Sequence, residues 1–357
     1  MTLARIEVEA FRNLRGVVLT PDPRVNFIWG NNASGKTSLL EAIHWLARGR
    51  SFLSVHSDQL IRQGCRAFTL GASIQVPPRT TWLGMERTPG RTRVRCNGQD
   101  IWNLSEIAWL LPTHVINTES QRLFVGAPQE RRSLLDWGVF HVEHSYQGRW
   151  RRYQRALRQR NAALRTGDSQ LARAWEADLV TAAEAVDSSR RCYLNALWPH
   201  WHAFIEEWLP ELELHWDFQS GWPRRDDLRG VLAQARGREL ERGHTLYGPH
   251  RGDLRFIAGD VGAAQRLSRG QQKLAAIALR LAQAELTLKN GQQRPVILVD
   301  DLAAELDAGH RERVLAKLLR MDAQLLLTAL SQNELVLPGD GRFRVFHVEQ
   351  GCYCEMV

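Results

Sequence analysis

Residues 30–37 read Gly-Asn-Asn-Ala-Ser-Gly-Lys-Thr, a glycine-flanked loop closed by a lysine and a hydroxyl. That order of residue types serves phosphate chemistry. Gly30 and Gly35 permit a tight turn whose backbone N–H groups, along Asn31, Asn32, Ala33 and Ser34, face an anion. Lys36 reaches the β- and γ-phosphates of a nucleoside triphosphate such as ATP, and the Thr37 hydroxyl ligates Mg2+, with Ser38 next in the same binding stretch. Lysine occurs only at positions 36, 273, 289 and 317, so composition alone does not produce the match.

A bound magnesium ion needs an acidic residue at a strand end. The apolar run Val296, Ile297, Leu298 and Val299 ends at Asp300 and Asp301, and a run of this kind fits a central buried strand. Adjacent carboxylates after a strand point in different directions. Asp300 is therefore assigned to the metal and Asp301 to the attacking water, which makes Asp301 and Lys36 the candidate catalytic residues.

A second anion seat lies far along the chain, at Leu267-Ser268-Arg269-Gly270-Gln271. Ser268 with Gln271 three residues on forms a capping box. A small residue, Gly270 and free N–H groups at a helix start suit an anion. Leu274, Ile277, Ala278 and Leu281 then recur at helical spacing, giving one buried stripe.

The elements that must hold these groups follow from periodicity. Residues 1–29 alternate as strands, and 37–48 place Leu39, Leu40, Ile43 and Leu46 on one helical face. Residues 66–103 read as an antiparallel sheet with a hairpin at Asn97-Gly98. From 128 to about 210 the chain is arginine-rich and helical. Strand texture returns at 212–218 and 255–264. Helix and strand then alternate from 267 to the end, which is α/β with a largely parallel core. The expected plan is an ATPase lobe from 1–127 and 211–357, carrying an antiparallel β subdomain and interrupted by a mainly helical lobe at 128–210.

A chain of 357 residues with 44% apolar content can bury a full core. No apolar run approaches the ~18 residues of a membrane span, and the amino terminus alternates like a strand rather than a signal peptide. A soluble cytoplasmic protein with no membrane partner is expected. The scattered Cys65, Cys96, Cys192, Cys352 and Cys354 offer no second close pair for a zinc site and read as free thiols. The net charge of +8 favours a polyanion such as DNA. GC-rich coding inflates arginine in the same way, so charge alone leaves the partner open.

Together, the phosphate loop, the late Leu-Ser-x-Gly-Gln sequence, the acidic strand end and the following Glu305-Leu306-Asp307 resemble ABC-type ATPases of the SMC-like branch. The resemblance narrows to the RecF family, bacterial recombination mediators acting at single-strand gaps and stalled forks. Six stretches carry it: 11–14, 30–52, 126–140 (GAPQERRSLLDWGVF), 247–254 (YGPHRGDL), 267–283 and 299–307. The resemblance implies a P-loop ATPase head that forms an ATP-dependent homodimer, in which Ser268 and Gly270 of one protomer seat the γ-phosphate held by the partner's loop. It implies a slow, DNA-stimulated ATPase used as a switch. It also implies sequence-independent binding at DNA junctions, partners of the RecO and RecR kind, recombinase loading, and a place in replication, recombination and the SOS response to DNA damage. It places Arg12 and Asn13 near the nucleotide, Glu305, Leu306 and Asp307 at the dimer contact, and Thr328 where transporters carry a switch histidine. Leu53, Thr118 and Ala304 depart from the family pattern, and Leu53 removes one expected arginine.

Residues 149–165 carry seven arginines and no acid. On a helix Arg151, Arg155 and Arg158 share one face and Arg149 and Arg152 another, a layout suited to sequence-blind phosphate contacts. The competing reading is a solvated helix whose arginines pair with Glu176, Asp178 or Glu184. A transporter subunit is disfavoured by the long stretch from Thr37 to Leu267. A chromosome-structuring SMC protein is disfavoured because 128–210 show no sustained heptad repeat.

Overall fold

Alternation along the first strands decides where the core lies. Strand β1 (Thr2–Phe11) buries Leu3, Ile6, Val8 and Phe11 and pairs antiparallel with β2 (Leu14–Leu19). In the computed structural model, which describes residues 1–54, 56–101, 104–223, 226–289, 294–302, 306–334 and 343–356 (backbone alone at 104 and 105), the chain divides into two compact units. One comprises residues 1–120 with 287–357, the other 121–286.

In the first unit, β1 and β2 join β4 (Phe68–Val76), β5 (Arg79–Thr88), β6 (Arg91–Cys96) and β7 (Gln99–Asp100) in an antiparallel sheet of order β2-β1-β4-β5-β6-β7. The β6–β7 hairpin turns at Asn97-Gly98, with Asn97 at a φ of 49°, as that dipeptide favours. The second sheet has the order β15-β14-β3-β13-β12-β8, built from β3 (Val25–Trp29), β8 (Thr113–Ile116), β12 (Val296–Val299), β13 (Gln324–Ala329), β14 (Phe343–Glu349) and β15 (Cys352–Met356). Its pairings are parallel except β14–β15. Strands β12 and β13 are buried at every position, the burial that continuous apolar runs require. One apolar cluster joins Leu39, Ile43 and Leu46 of the helix Lys36–Arg48 to inward residues of both sheets, among them Ile6, Phe68, Ile28 and Leu298. The helix is thereby fixed at the exit of β3. Strands β8 and β15, with the helix Leu228–Arg242 of the other unit, lay outside the expected element set.

The second unit is mainly helical: Pro128–Val142, Tyr146–Arg165, Glu176–Trp208, Leu228–Arg242 and most of Arg269–Lys289. A small antiparallel sheet accompanies them, of order β11-β10-β9 from β9 (Leu214–Gln219), β10 (Asp253–Ala258) and β11 (Val261–Gly262). The chain therefore divides at 120/121 and 286/287, so the serine–glycine seat shares a unit with the helical lobe. Trp201, fully buried, stacks on Trp216 at 4.8 Å and so ties the long helix to β9.

The stretches 126–140 and 247–254 meet here. Arg131 grips Asp253 with both arms, Nε–Oδ1 2.7 Å and Nη2–Oδ2 3.0 Å, and Arg132 donates to the Gly252 carbonyl at 2.8 Å. Asp136 accepts two bonds from the fully buried Arg190, whose remaining arm donates to the Pro249 carbonyl at 2.8 Å. Burial pushes His250 down to about 4, so its ring is neutral near pH 7, with Nδ1 2.5 Å from the Tyr153 hydroxyl. Removing one partner of a buried pair strands the other charge. Asp253→Ala is therefore expected to cost about 3–5 kcal/mol in urea unfolding; a loss under about 1 kcal/mol would show that the pair does not hold the motifs together.

Candidate nucleotide site

The loop leaves β3 and enters the helix Lys36–Arg48. Glycine at 30 is imposed by close approach, since a Cβ there would lie 2.2 Å from the Val348 carbonyl oxygen. Ala33 sits in the left-handed region, φ 61°, one of the turns that gather N–H groups on one side. Lys36 is buried and arches over the loop, its Nζ donating to the carbonyls of Gly30 at 2.6 Å and Asn31 at 2.9 Å. Burial lowers its pKa, opposed by the charges of Asp301 and Asp300. The ammonium is thus held at the loop, where a phosphate would replace the carbonyls as its partner.

Thr37 Oγ1 donates to Asp300 Oδ1 at 3.0 Å, so the sequence-predicted metal pair is brought together. Thr328, fully buried on β13, donates to the same oxygen at 2.9 Å and accepts from the Asp301 N–H at 2.9 Å. One hydroxyl therefore holds the Asp300 carboxylate and the Asp301 backbone. Asp301 takes a left-handed backbone, φ 53°, which turns the chain sharply after β12. A hydroxyl and a carboxylate are hard oxygen donors of the kind Mg2+ takes beside phosphate. The two residues fit that ion. Arg12, Asn13, Asn32 to Ser38, Asp300 and Asp301 line one cavity of about 390 Å3.

Asn13 braces the loop, donating to the Ala33 carbonyl at 2.9 Å and accepting from the Ser38 hydroxyl at 2.6 Å. Arg12 lines the cavity too, yet its guanidinium is clamped on the fully buried Glu41, with Nη2–Oε1 at 2.8 Å and a second short bond from Nε. Ser51 donates to that carboxylate as well. Sequence reasoning missed Glu41, Ser51 and the orienting role of Thr328. The signal for Glu41 was present: a lone carboxylate within an otherwise apolar run of the helix. Leu53 is 45% exposed, so the departure there leaves no void. Thr118 opens the short helical turn Thr118–Gln121. Ala304 and Glu305 lie outside the described residues, and Asp307 caps the helix Ala308–Arg320 by accepting from the His310 N–H at 3.0 Å.

In the other unit the capping box forms in both directions. The Ser268 N–H donates to Gln271 Oε1 at 2.9 Å, and the Gln271 N–H donates to Ser268 Oγ at 3.3 Å. Gln271 also donates to Glu211 at 3.1 Å. Ser268, Arg269 and Gly270 are exposed, while Leu274, Ile277, Ala278 and Leu281 are buried. The seat faces solvent on an anchored helix.

The arginine helix divides. Arg149 pairs with Glu143 at 2.5 Å and donates to Ser189 at 2.7 Å; Arg152 pairs with Asp178 at 2.8 Å. Arg151, Arg155 and Arg158 are exposed on the helix Tyr146–Arg165. Arg160 is fully buried between Glu176 and Glu239, a structural role. Among the described residues, no cluster of three or more His, Cys, Asp or Glu could hold a metal, and no helix is long and apolar enough to cross a membrane. None of the five cysteines is in a disulfide.

The Asp300 carboxyl is pushed up by burial, with the Thr328 and Thr37 hydrogen bonds opposing. The fold therefore favours its protonated form. That contribution is complete below the ordinary carboxylate range and is lost as pH rises through the raised value. At pH 7 the carboxylate costs stability, so Asp300→Asn is expected to raise the melting temperature without nucleotide by about 2 °C. The gain should shrink as pH falls toward the carboxylate range. A lower melting temperature for the variant at pH 7 would contradict this account.

Residues 2–353 match the model of the RecF/RecN/SMC N terminal domain. The chain is 42% identical over 358 residues to the DNA replication and repair protein RecF of Stutzerimonas stutzeri (strain A1501), covering 98% of this chain and 96% of that protein. It is 41% identical over 359 residues to RecF of Pseudomonas syringae pv. tomato, covering 98% and 97%. The solved structure of the recombination mediator protein RecF-ATP in the RecFOR pathway aligns with a TM-score of 0.89 at 25% identity, over 100% of this chain and 98% of that one. An Smc head bound to the C-winged helix domain of ScpA shares the fold, with a TM-score of 0.61 at 16% identity over 100% and 97%. The phosphate loop, the acidic strand end and the serine–glycine seat thus stand in a full-length match, and the chain belongs to the RecF family of SMC-like ATPases.

Proposed function

We propose that the protein is an ATP-dependent DNA-binding protein that dimerises on ATP at single-strand gaps or stalled forks and promotes recombinase loading with partners of the RecO and RecR kind. The observation that carries the reading is the convergence of Lys36, Thr37 and Asp300 on one cavity. An ATP-bound relative of the same fold supports it.

The loop's N–H groups cradle the phosphates, and Lys36 Nζ exchanges its two carbonyl partners for phosphate oxygens. Thr37 and Asp300 would hold a magnesium ion, which when bound would supply charge neutralisation beside the transferred phosphoryl group. Asp301 orients a water for in-line attack; as the new P–O bond forms, the bond to ADP breaks. The exposed Ser268 hydroxyl and Gly270 N–H of a second protomer seat the γ-phosphate, since the Ser268 N–H is already taken by Gln271. Closure of two chains on one nucleotide is then the ATP-dependent step, and slow, DNA-stimulated hydrolysis ends it. Arg151, Arg155 and Arg158 are exposed candidates for DNA phosphates, and Arg149 and Arg152 would exchange Glu143 and Asp178 for them.

Light scattering with ATP, ADP or no nucleotide, repeated with gapped DNA, tests the reading. Lys36→Ala is expected to abolish ATP-dependent dimerisation and DNA binding; an unchanged dimer with ATP would sink the assignment. Ser268→Arg should keep nucleotide binding by the monomer while blocking dimerisation and turnover. Loss of nucleotide binding in that variant would defeat the two-protomer arrangement.

A further inference from the structure

The carboxy-terminal hairpin meets the phosphate loop at Gly30, Ser34 and Gly35, and the proposed chemistry leaves these contacts unexplained. The Val348 carbonyl stands where a Cβ of Gly30 would be, 2.2 Å away. The Gly351 N–H donates to the Ser34 carbonyl at 2.7 Å. The Tyr353 hydroxyl donates to the Gly35 carbonyl at 2.8 Å. The hairpin's tight turn at Gln350-Gly351, with φ of 49° and 79°, brings these groups together. A Cβ on Gly351 would approach the Asn13 carbonyl oxygen to 3.0 Å.

A trans peptide carries its C=O and the following N–H on opposite sides of one rigid plane. Holding the Ser34 carbonyl outward therefore aims the Gly35 N–H inward. Holding the Gly35 carbonyl outward does the same for the Lys36 N–H. These two N–H groups belong to the stretch that meets the nucleotide's β-phosphate. The Gly35 carbonyl also accepts the Leu39 N–H at 3.0 Å, the first bond of the helix, and its second lone pair is the one Tyr353 takes. Both bonds brace the loop from behind, away from the cavity, whose lining does not include Tyr353. Burial pushes the Tyr353 phenol up, so it stays a proton donor across the physiological range.

The geometry points to Tyr353 as a positioning residue for nucleotide binding, acting with the Gly351 N–H to aim the phosphate-facing amides of the loop. The inference rests on the reading of residues 30–37 as a nucleotide site. Its consequence is uniform: the brace serves ATP and ADP alike and contributes nothing specific to the hydrolysis step.

Tyr353→Phe keeps the ring and removes the donor. Calorimetric titration should show ATP and ADP affinities both falling about fivefold. Steady-state turnover should show KM rising by about the same factor with kcat unchanged, the mark of lost uniform binding. Gly351→Ala, which crowds the Asn13 carbonyl, attacks the brace from the turn and should weaken both nucleotides likewise, so the test survives if one variant fails to fold. Folded Tyr353→Phe that binds both nucleotides like wild type overturns the positioning role, as does a fall in kcat with KM unchanged. Wild-type protein that binds neither nucleotide overturns the underlying reading of the loop instead.

Discussion

Parallel register is the constraint on which the site depends. Strand β13 lies between β3 and β12, and all three run the same way. The loop after β3 and the carboxylates after β12 therefore emerge at one edge of the sheet, where α/β proteins collect their ligands. Thr328 occupies the intervening strand and bonds to Asp300 and Asp301. A register slip of one residue in β13 would turn that hydroxyl to the opposite face of the sheet. The fully buried Gln324 and Thr328, each hydrogen-bonded in this register, oppose such a slip, which would strand their polar atoms.

Legibility of the site in the sequence followed range. The loop, Asp300 and the Ser268–Gln271 cap were readable because each is a local pattern whose partners lie within a few residues or at the end of the same strand. Thr328, Glu41 and Tyr353 were not readable in their roles. Each acts through tertiary contact, and a threonine in an apolar strand or a tyrosine near the end carries no periodic signal of its partner. The fold class was legible from the change between strand and helix periods. Strand β8 was missed because its four buried residues, including Thr113 and His114, lack the apolar run of β12. The arginine helix stayed ambiguous because spacing gives a face but not what the face meets; Arg149 and Arg152 meet carboxylates.

The stretches 126–140 and 247–254 meet through Arg131 and Asp253. Arg131 with Asp253, Arg132 with Gly252, and Arg190 with Asp136 and Pro249 form a buried network joining helix to loop. Losing either partner of the Arg131–Asp253 or Arg190–Asp136 pair leaves a desolvated charge behind. The network lies within one unit. The phosphate loop and the acidic strand end lie in the other, while the exposed serine–glycine seat shares the unit of the network.

The position of β3 has a consequence for how the protein is made. Its two hydrogen-bonded neighbours, β13 and β14, both come from the carboxy-terminal part of the chain. A ribosome therefore exports the phosphate loop long before anything exists to pair with the strand that carries it. Until residues 324–349 have been synthesised, that strand is an unsatisfied edge and the loop has no rigid base. ATP cannot then serve as an early folding template for the nascent chain. The first unit closes only when its two ends meet.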